Sequence, residues 1–84
     1  MTQQEALAWI AELFDEKPER LTAKTIRADI QAWDSLGILA LMSALDSDFG
    51  IELSDDEVLG MNKVSDILEI LHRHEKLNES ALLR

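Results

Sequence analysis

The sequence predicts an all-α fold: a small antiparallel four-helix bundle, with three longer helices, one short helix and a long first loop. Three observations carry that expectation. The 84 residues are 46% apolar but only 5% aromatic, so aliphatic side chains must build a thin core of the size one small domain can support. The chain is rich in Leu and Ala, poor in Val and Thr, without Tyr, and holds three Gly and one Pro, a composition that favours helix over strand. Apolar residues also recur at spacings of three and four in stretches that open on capping residues and close at Gly or before Pro.

The first stretch opens on Thr2 followed by Glu5, a Thr-x-x-Glu capping box in which each side chain satisfies a free backbone N–H of the other residue. Ala6 or Leu7, Ile10, Leu13 and Phe14 form its apolar stripe, which ends before Pro18, and Trp9 covers the stripe's edge. From Lys17 to Trp33 no helical period persists. Thr22 and Thr25 have the character of turn residues, and Leu21, Ile26 and Ile30 are the expected pins of a long loop. Trp33 leads into the central helix, which begins at Asp34 or Ser35 and carries Ile38, Leu41, Met42, Leu45 and Phe49 on one face. Gly50 stops it, and Ile51 and Leu53 return the chain to the core. Ser54 with Glu57 makes a second capping box and opens a short helix ending at Gly60. Asn62 is the expected cap of the last helix, whose stripe is Val64, Ile67, Leu68 and Leu71; Asp66 near its start and Arg73 and Lys76 near its end suit its dipole. The domain so read spans residues 1–76, and residues 77–84 form a C-terminal tail.

Charge is distributed unevenly. Between Ala28 and Asn62 there is no Lys or Arg, while Asp29, Asp34, Asp46, Asp48, Glu52, Asp55, Asp56 and Glu57 give that stretch −8 of the chain's net −9. Such a one-signed middle disfavours nucleic acid and anionic lipid and steers basic partners toward the central helix. Leu36 and Leu39 fall off that helix's apolar stripe, beside Ala40, Ser43, Asp46 and Ser47, as a docking face would. The apolar run from Leu36 to Leu45 is about half of the ~20 residues needed to span a bilayer, and the first helix is acidic where a secretory segment is apolar. A cytoplasmic monomer that does not insert into membranes is the expectation.

Several chemistries are disfavoured. Without Cys there is no disulfide framework, thiolate metal site or cysteine nucleophile. Residues 46–57 resemble a calcium loop, with acids at positions 1, 3 and 12, but position 6 needs Gly and holds Ile51; that cluster attracts divalent ions weakly, and no metal site is assigned. His72 and His74 point in different directions, and Glu69 with His72 lacks the second copy that a carboxylate-bridged metal bundle uses; both histidines read as solvent-exposed. Ser35 has neither a neighbouring base nor a Gly-rich elbow before it, so the chain does not read as an enzyme. What Ser35 does have is a place at a helix N-terminus, where free N–H groups and the macrodipole favour an attached anion such as a phosphate ester.

Trp33-Asp34-Ser35-Leu36-Gly37, followed by Leu41, Leu45, Asp46, Phe49, Gly50, Ile51 and Glu52, resembles the acyl carrier proteins over residues from about 3 to 75. In that family the Ser of the Asp-Ser-Leu motif carries 4′-phosphopantetheine, and the resemblance puts that role on Ser35, with Asp34 and Leu36 beside it. It implies a stand-alone carrier of acyl groups held as thioesters, in a fatty-acid-like or a specialised acyl or polyketide pathway. The implied partners are a phosphopantetheinyl transferase and acyl-loading, synthase or transferase enzymes with basic docking patches. Leu36, Leu39, Asp46, Asp48, Asp55, Asp56 and Glu57 are the expected docking residues. The chain departs from carriers of bulk fatty-acid synthesis, which usually have acids shortly after the modified Ser; here Gly37 and Ala40 stand there. The competing reading is an acidic helical protein-interaction domain without a prosthetic group.

Overall fold

Helix starts and stops fall where the capping chemistry puts them. In the computed structural model, which describes residues 1–76, the helices are α1 (Gln3–Leu13), α2 (Ser35–Phe49), α3 (Asp55–Leu59) and α4 (Val64–Arg73). They make the small helical bundle expected.

Both capping boxes form. Thr2 N–H donates to Glu5 Oε1 at 2.8 Å and Glu5 N–H to Thr2 Oγ1 at 3.1 Å; the Ser54–Glu57 pair repeats this at 3.1 and 3.2 Å. α2 ends in a left-handed turn at Gly50 (φ 68°), with Ile51 N–H reaching back to the Leu45 carbonyl at 3.1 Å. This tight exit returns Ile51 to the core, where it is buried. α1 closes with the same reversal on a less suitable residue: Asp15 stands at φ 55° while Glu16 N–H donates to the Ala11 carbonyl at 2.8 Å.

One core runs through the bundle. Ala6, Ile10, Leu41, Leu45, Val64, Ile67, Leu68 and Leu71 are fully excluded from solvent, at roughly 1.5–3 kcal/mol for each large aliphatic side chain. Ile38 and Phe49 pack at its margin, half-buried, and Met42 is half-buried as well. Met61 and Ile70 are buried too, though they lie outside the stripes read from the sequence. Trp9 crosses to α2, meeting Phe49 edge-on at 5.2 Å.

Three expectations need correction, and for Ile26 and Asn62 the reason is that long-range backbone contacts outweigh local pattern. The first loop is not irregular throughout: it contains 3₁₀ turns at Pro18–Arg20 and Arg27–Asp29. Of its three expected pins, Leu21 and Ile30 are buried but Ile26 is 46% exposed. Ile26 instead joins Lys63 in an antiparallel bridge, bracketed by Arg27 N–H to the Asn62 carbonyl at 2.7 Å and Val64 N–H to the Thr25 carbonyl at 2.8 Å. Its backbone is the fastener, which leaves the side chain outside. Asn62 does not cap α4; Lys63 occupies that position. The free N–H groups of Val64 and Ser65 are taken by the loop carbonyls of Thr25 and Ala23, while Asp66 Oδ2 accepts from the N–H groups of Asn62 and Lys63 at 2.9 and 3.2 Å. Finally, His74 is exposed but His72 is half-buried, and its Nδ1 is enclosed without a hydrogen-bond partner. The expected tail, residues 77–84, lies outside the described residues.

Candidate functional site

The mouth of α2 is built by four residues. Asp34 is the cap: its Oδ1 accepts from Gly37 N–H at 2.9 Å, and its carbonyl accepts from Ile38 N–H at 2.8 Å. That settles the choice left open by the sequence and makes Ser35 the first helical residue. Ser35 is exposed. Its hydroxyl makes no hydrogen bond among the described residues, and the N–H groups of Ser35 and Leu36 have no acceptor among them either. A bare hydroxyl therefore stands beside two unsatisfied donors at the positive end of a 15-residue helix.

Gly37 sets how the preceding loop meets this helix. It is buried in the first turn of α2, and a Cβ there would run into the Ala32 carbonyl oxygen and lie 3.3 Å from Phe14 Cε1. The first turn thus has no room for an acid at this position, which accounts physically for one departure from the usual carrier pattern. Behind it, Trp33 is buried and stacks on Phe14 (5.3 Å, 17°). The Trp33 carbonyl accepts from Arg27 Nε at 2.9 Å. Arg27 thereby ties the loop to the residue that leads into Asp34 and Ser35, a contact with no local sequence signal.

The expected docking residues divide by what already occupies them. Leu36 and Leu39 are 76% and 61% exposed. Asp46, Asp55 and Asp56 are exposed. Asp48 is engaged, its Oδ2 accepting from Trp9 Nε1 at 2.9 Å. Glu57 is half-buried; the hydrogen bond from the Ser54 backbone holds its carboxyl below the usual carboxylate range, with the nearby Arg73 adding to this. The sequence reading missed Leu59, at the end of α3, which is 78% exposed. Its signal was present: an isolated Leu directly before a helix-ending Gly, outside any stripe. Among the described residues no cluster of His and carboxylates has the make-up of a metal site. None of their helices is long and apolar enough to cross a membrane.

A small helical bundle with one bare hydroxyl at a helix mouth and leucines set among acids has the make-up of a carrier domain. Comparison with known proteins agrees. The chain is 30% identical to an acyl carrier protein of Thermosynechococcus vestitus over 76 residues, covering 86% of this chain and 94% of that one. It is 31% identical to an acyl carrier protein homolog of Mycoplasmopsis pulmonis over 67 residues, covering 80% and 90%. It is also 26% identical to the meromycolate extension acyl carrier protein of Mycobacterium tuberculosis, covering 96% and 74%. No family model matches. The chain belongs to the acyl carrier protein family.

Proposed function

We propose that Ser35 is the attachment point of 4′-phosphopantetheine, and that this chain carries acyl intermediates as thioesters on that arm. The observation that carries the reading is the exposed, unbonded Ser35 hydroxyl on the first residue of α2, beside free N–H groups. In the loading step the Ser35 oxygen attacks the pantetheine-bearing phosphorus of coenzyme A. The pyrophosphate P–O bond breaks, adenosine 3′,5′-bisphosphate leaves, and the serine proton passes to a base of the transferase. The resulting phosphodiester anion suits the helix mouth, and the arm supplies the thiol that a chain without Cys lacks.

Asp34 holds the mouth by capping Gly37 N–H. Leu36 and Leu39, with Asp46, Asp55 and Asp56, form the docking surface for the transferase and for acyl-loading and synthase enzymes bearing basic patches. Asp48 and Glu57 stand at its edge. Charge sets the encounter rate, and the tether replaces free diffusion between enzymes. The relatives named for meromycolate extension support a fatty-acid-like elongation pathway, and a cytoplasmic location is part of the same proposal. The test is intact mass after incubation with coenzyme A and a broad-specificity phosphopantetheinyl transferase. A gain of one phosphopantetheine in the wild type and none in Ser35→Ala is expected; no gain in a folded sample would favour the interaction-domain reading instead.

A further inference from the structure

Where the first loop meets the start of α4, an apolar side chain is held out to solvent between cations. Residues 23–27 run antiparallel to residues 62–65 through the Ile26–Lys63 bridge. The Ser65, Val64 and Arg27 N–H groups complete this seam, donating to the carbonyls of Ala23, Thr25 and Asn62 at 2.9, 2.8 and 2.7 Å. Residues opposite each other in such a bridge stand about 4.5–5.5 Å apart at Cα, so the Lys63 side chain starts beside that of Ile26. Ile26 is 46% exposed and, with Arg27, Ile30 and Asn62 among others, lines an open groove of about 620 Å³. Lys24 and Lys63 are exposed and Arg27 is half-buried. None of these cations makes an ion pair among the described residues. Arg27 gives Nε to the Trp33 carbonyl, which leaves the far end of its guanidinium without a partner among them. The adjoining Asp66 is already engaged by the N–H groups of Asn62 and Lys63; Asp29, two residues beyond Arg27, is exposed.

We propose that this seam is a second docking surface, for an acidic segment of a partner protein. The segment sets an apolar side chain against Ile26 and its carboxylates against Lys24, Lys63 and the free end of Arg27. Charge decides the class of partner. Residues 28–62 hold no Lys or Arg and bring −8 of the chain's net −9, so basic proteins are drawn to that stretch, and the seam is where the sign reverses. A nucleic acid or an anionic bilayer is too extended to touch the seam without also facing the negative remainder of the chain. A short segment reads the seam alone, because charges beyond about 8 Å are screened at physiological ionic strength. The exposed Ile26 beside a groove favours an apolar anchor, which a small free anion lacks. No seam residue belongs to the acidic leucine face of Leu36, Leu39, Asp46, Asp55 and Asp56, so the chain offers two surfaces of opposite sign. A partner that reads both is oriented as it docks, since turning it round would set like charges against each other.

The experiment titrates isotopically labelled, unmodified protein with an acetylated Glu-Asp-Leu-Glu-Asp peptide amide and follows the backbone amide shifts. Saturable shifts centred on residues 23–27 and 62–65 are expected, and they should weaken as salt is raised. Ile26→Ser removes the apolar contact but keeps the backbone bridge, and Lys24→Glu with Lys63→Glu reverses the charge. Each should weaken binding by about threefold or more, as should a peptide with Ser in place of its Leu. These substitutions lie at exposed positions, and unchanged spectra away from the seam verify that the variants are folded. A Lys-Lys-Leu-Lys-Lys peptide should leave the seam unmoved and shift the leucine face of α2 instead. Absence of saturable shifts at the seam, or equal affinity for wild-type and charge-reversed protein, would overturn the proposal. Seam shifts on concentrating the protein alone would overturn it in favour of a second copy. Binding through these residues to phosphatidylglycerol vesicles in preference to the peptide would overturn it in favour of a lipid surface. Ser35 is unmodified throughout, so neither result bears on the attachment.

Discussion

Gly37→Ala reverses the sign that helix propensity assigns. At an unstrained helical position, Gly to Ala stabilises by about 0.4–1 kcal/mol. Gly37 is helical, so propensity alone predicts a gain. The structure predicts a loss, because the new Cβ meets the Ala32 carbonyl oxygen and lies 3.0 Å from the carbon behind it and 3.3 Å from Phe14 Cε1. None of these is the free end of a flexible side chain. The carbonyl belongs to a loop fastened by Trp33 N–H to the Ile30 carbonyl at 3.1 Å and by Arg27 to the Trp33 carbonyl, and Phe14 is buried against Trp33. Overpacking of this kind costs about 1–3 kcal/mol, which exceeds the propensity gain and leaves a net loss of about 1–2 kcal/mol. In a domain this small that is a fall in Tm of roughly 4–16 °C, read by thermal denaturation followed by circular dichroism. Gly50→Ala is the comparison: nothing lies within 4 Å of its Cβ, and its cost comes from φ 68° alone. Asn, which tolerates that conformation, should rescue position 50 but not position 37. A Gly37→Ala protein melting at or above the wild type would refute the close approach that seats the loop on α2.

Two further predictions concern helix ends. Asp15 at φ 55° occupies a conformation that Gly adopts freely, so Asp15→Gly should raise stability by about 0.5 kcal/mol; an unchanged or lower Tm would show that its side chain offsets the strain. Glu57 has a folded pKa below its unfolded value, chiefly through the Ser54 backbone hydrogen bond. Its contribution is therefore complete above the unfolded value and is lost as pH falls through the folded one. Glu57→Gln keeps the capping geometry, so its Tm deficit at neutral pH should shrink as pH falls below the unfolded carboxylate value and close once the folded carboxyl is protonated, and a deficit that persists in acid would assign the effect to shape rather than charge.

Local chemistry was legible in the sequence, and chain-to-chain contact was not. Thr2 with Glu5, Ser54 with Glu57, and Gly50 are signals whose partners lie within six residues, and each formed as read. Ser35 and its leucine neighbours were visible for the same reason, since helical periodicity alone places Leu36 and Leu39 away from Leu41 and Leu45. Ile26 misled because a β-branched apolar residue in a loop normally pins by its side chain, whereas here its backbone pairs with Lys63, 37 positions away. Asn62 misled because the carbonyls that satisfy α4 come from Ala23 and Thr25, which no capping rule within the helix anticipates. The same holds for Arg27 and Gly37. Their roles exist only once the loop is folded against α2, so residue type and spacing could point to Ser35 but not to what seats it.

The docking role proposed for Asp46 sets function against folding stability. Asp46 and Asp48 stand in the last turn of α2, which has no basic residue, where the negative end of the helix dipole disfavours carboxylates by about 0.3–1 kcal/mol each. Asp48 recovers part of that through the Trp9 indole at 2.9 Å; Asp46 has no such partner among the described residues and is exposed. On folding grounds alone, a Lys at position 46 would be better. Asp46→Lys should therefore raise stability by up to about 1 kcal/mol while slowing phosphopantetheinylation several-fold at low salt, the slowing fading as the Debye length shrinks to about 8 Å at physiological ionic strength. Asp48→Lys mixes the two effects, because it also breaks the indole hydrogen bond and costs stability, so the single Asp46 reversal is the cleaner test. Paired thermal melts and stopped-time mass measurements across a salt series decide it. A variant that is more stable yet modified at the wild-type rate at every salt concentration would remove Asp46 from the docking surface, leaving the leucines and α3 to carry recognition.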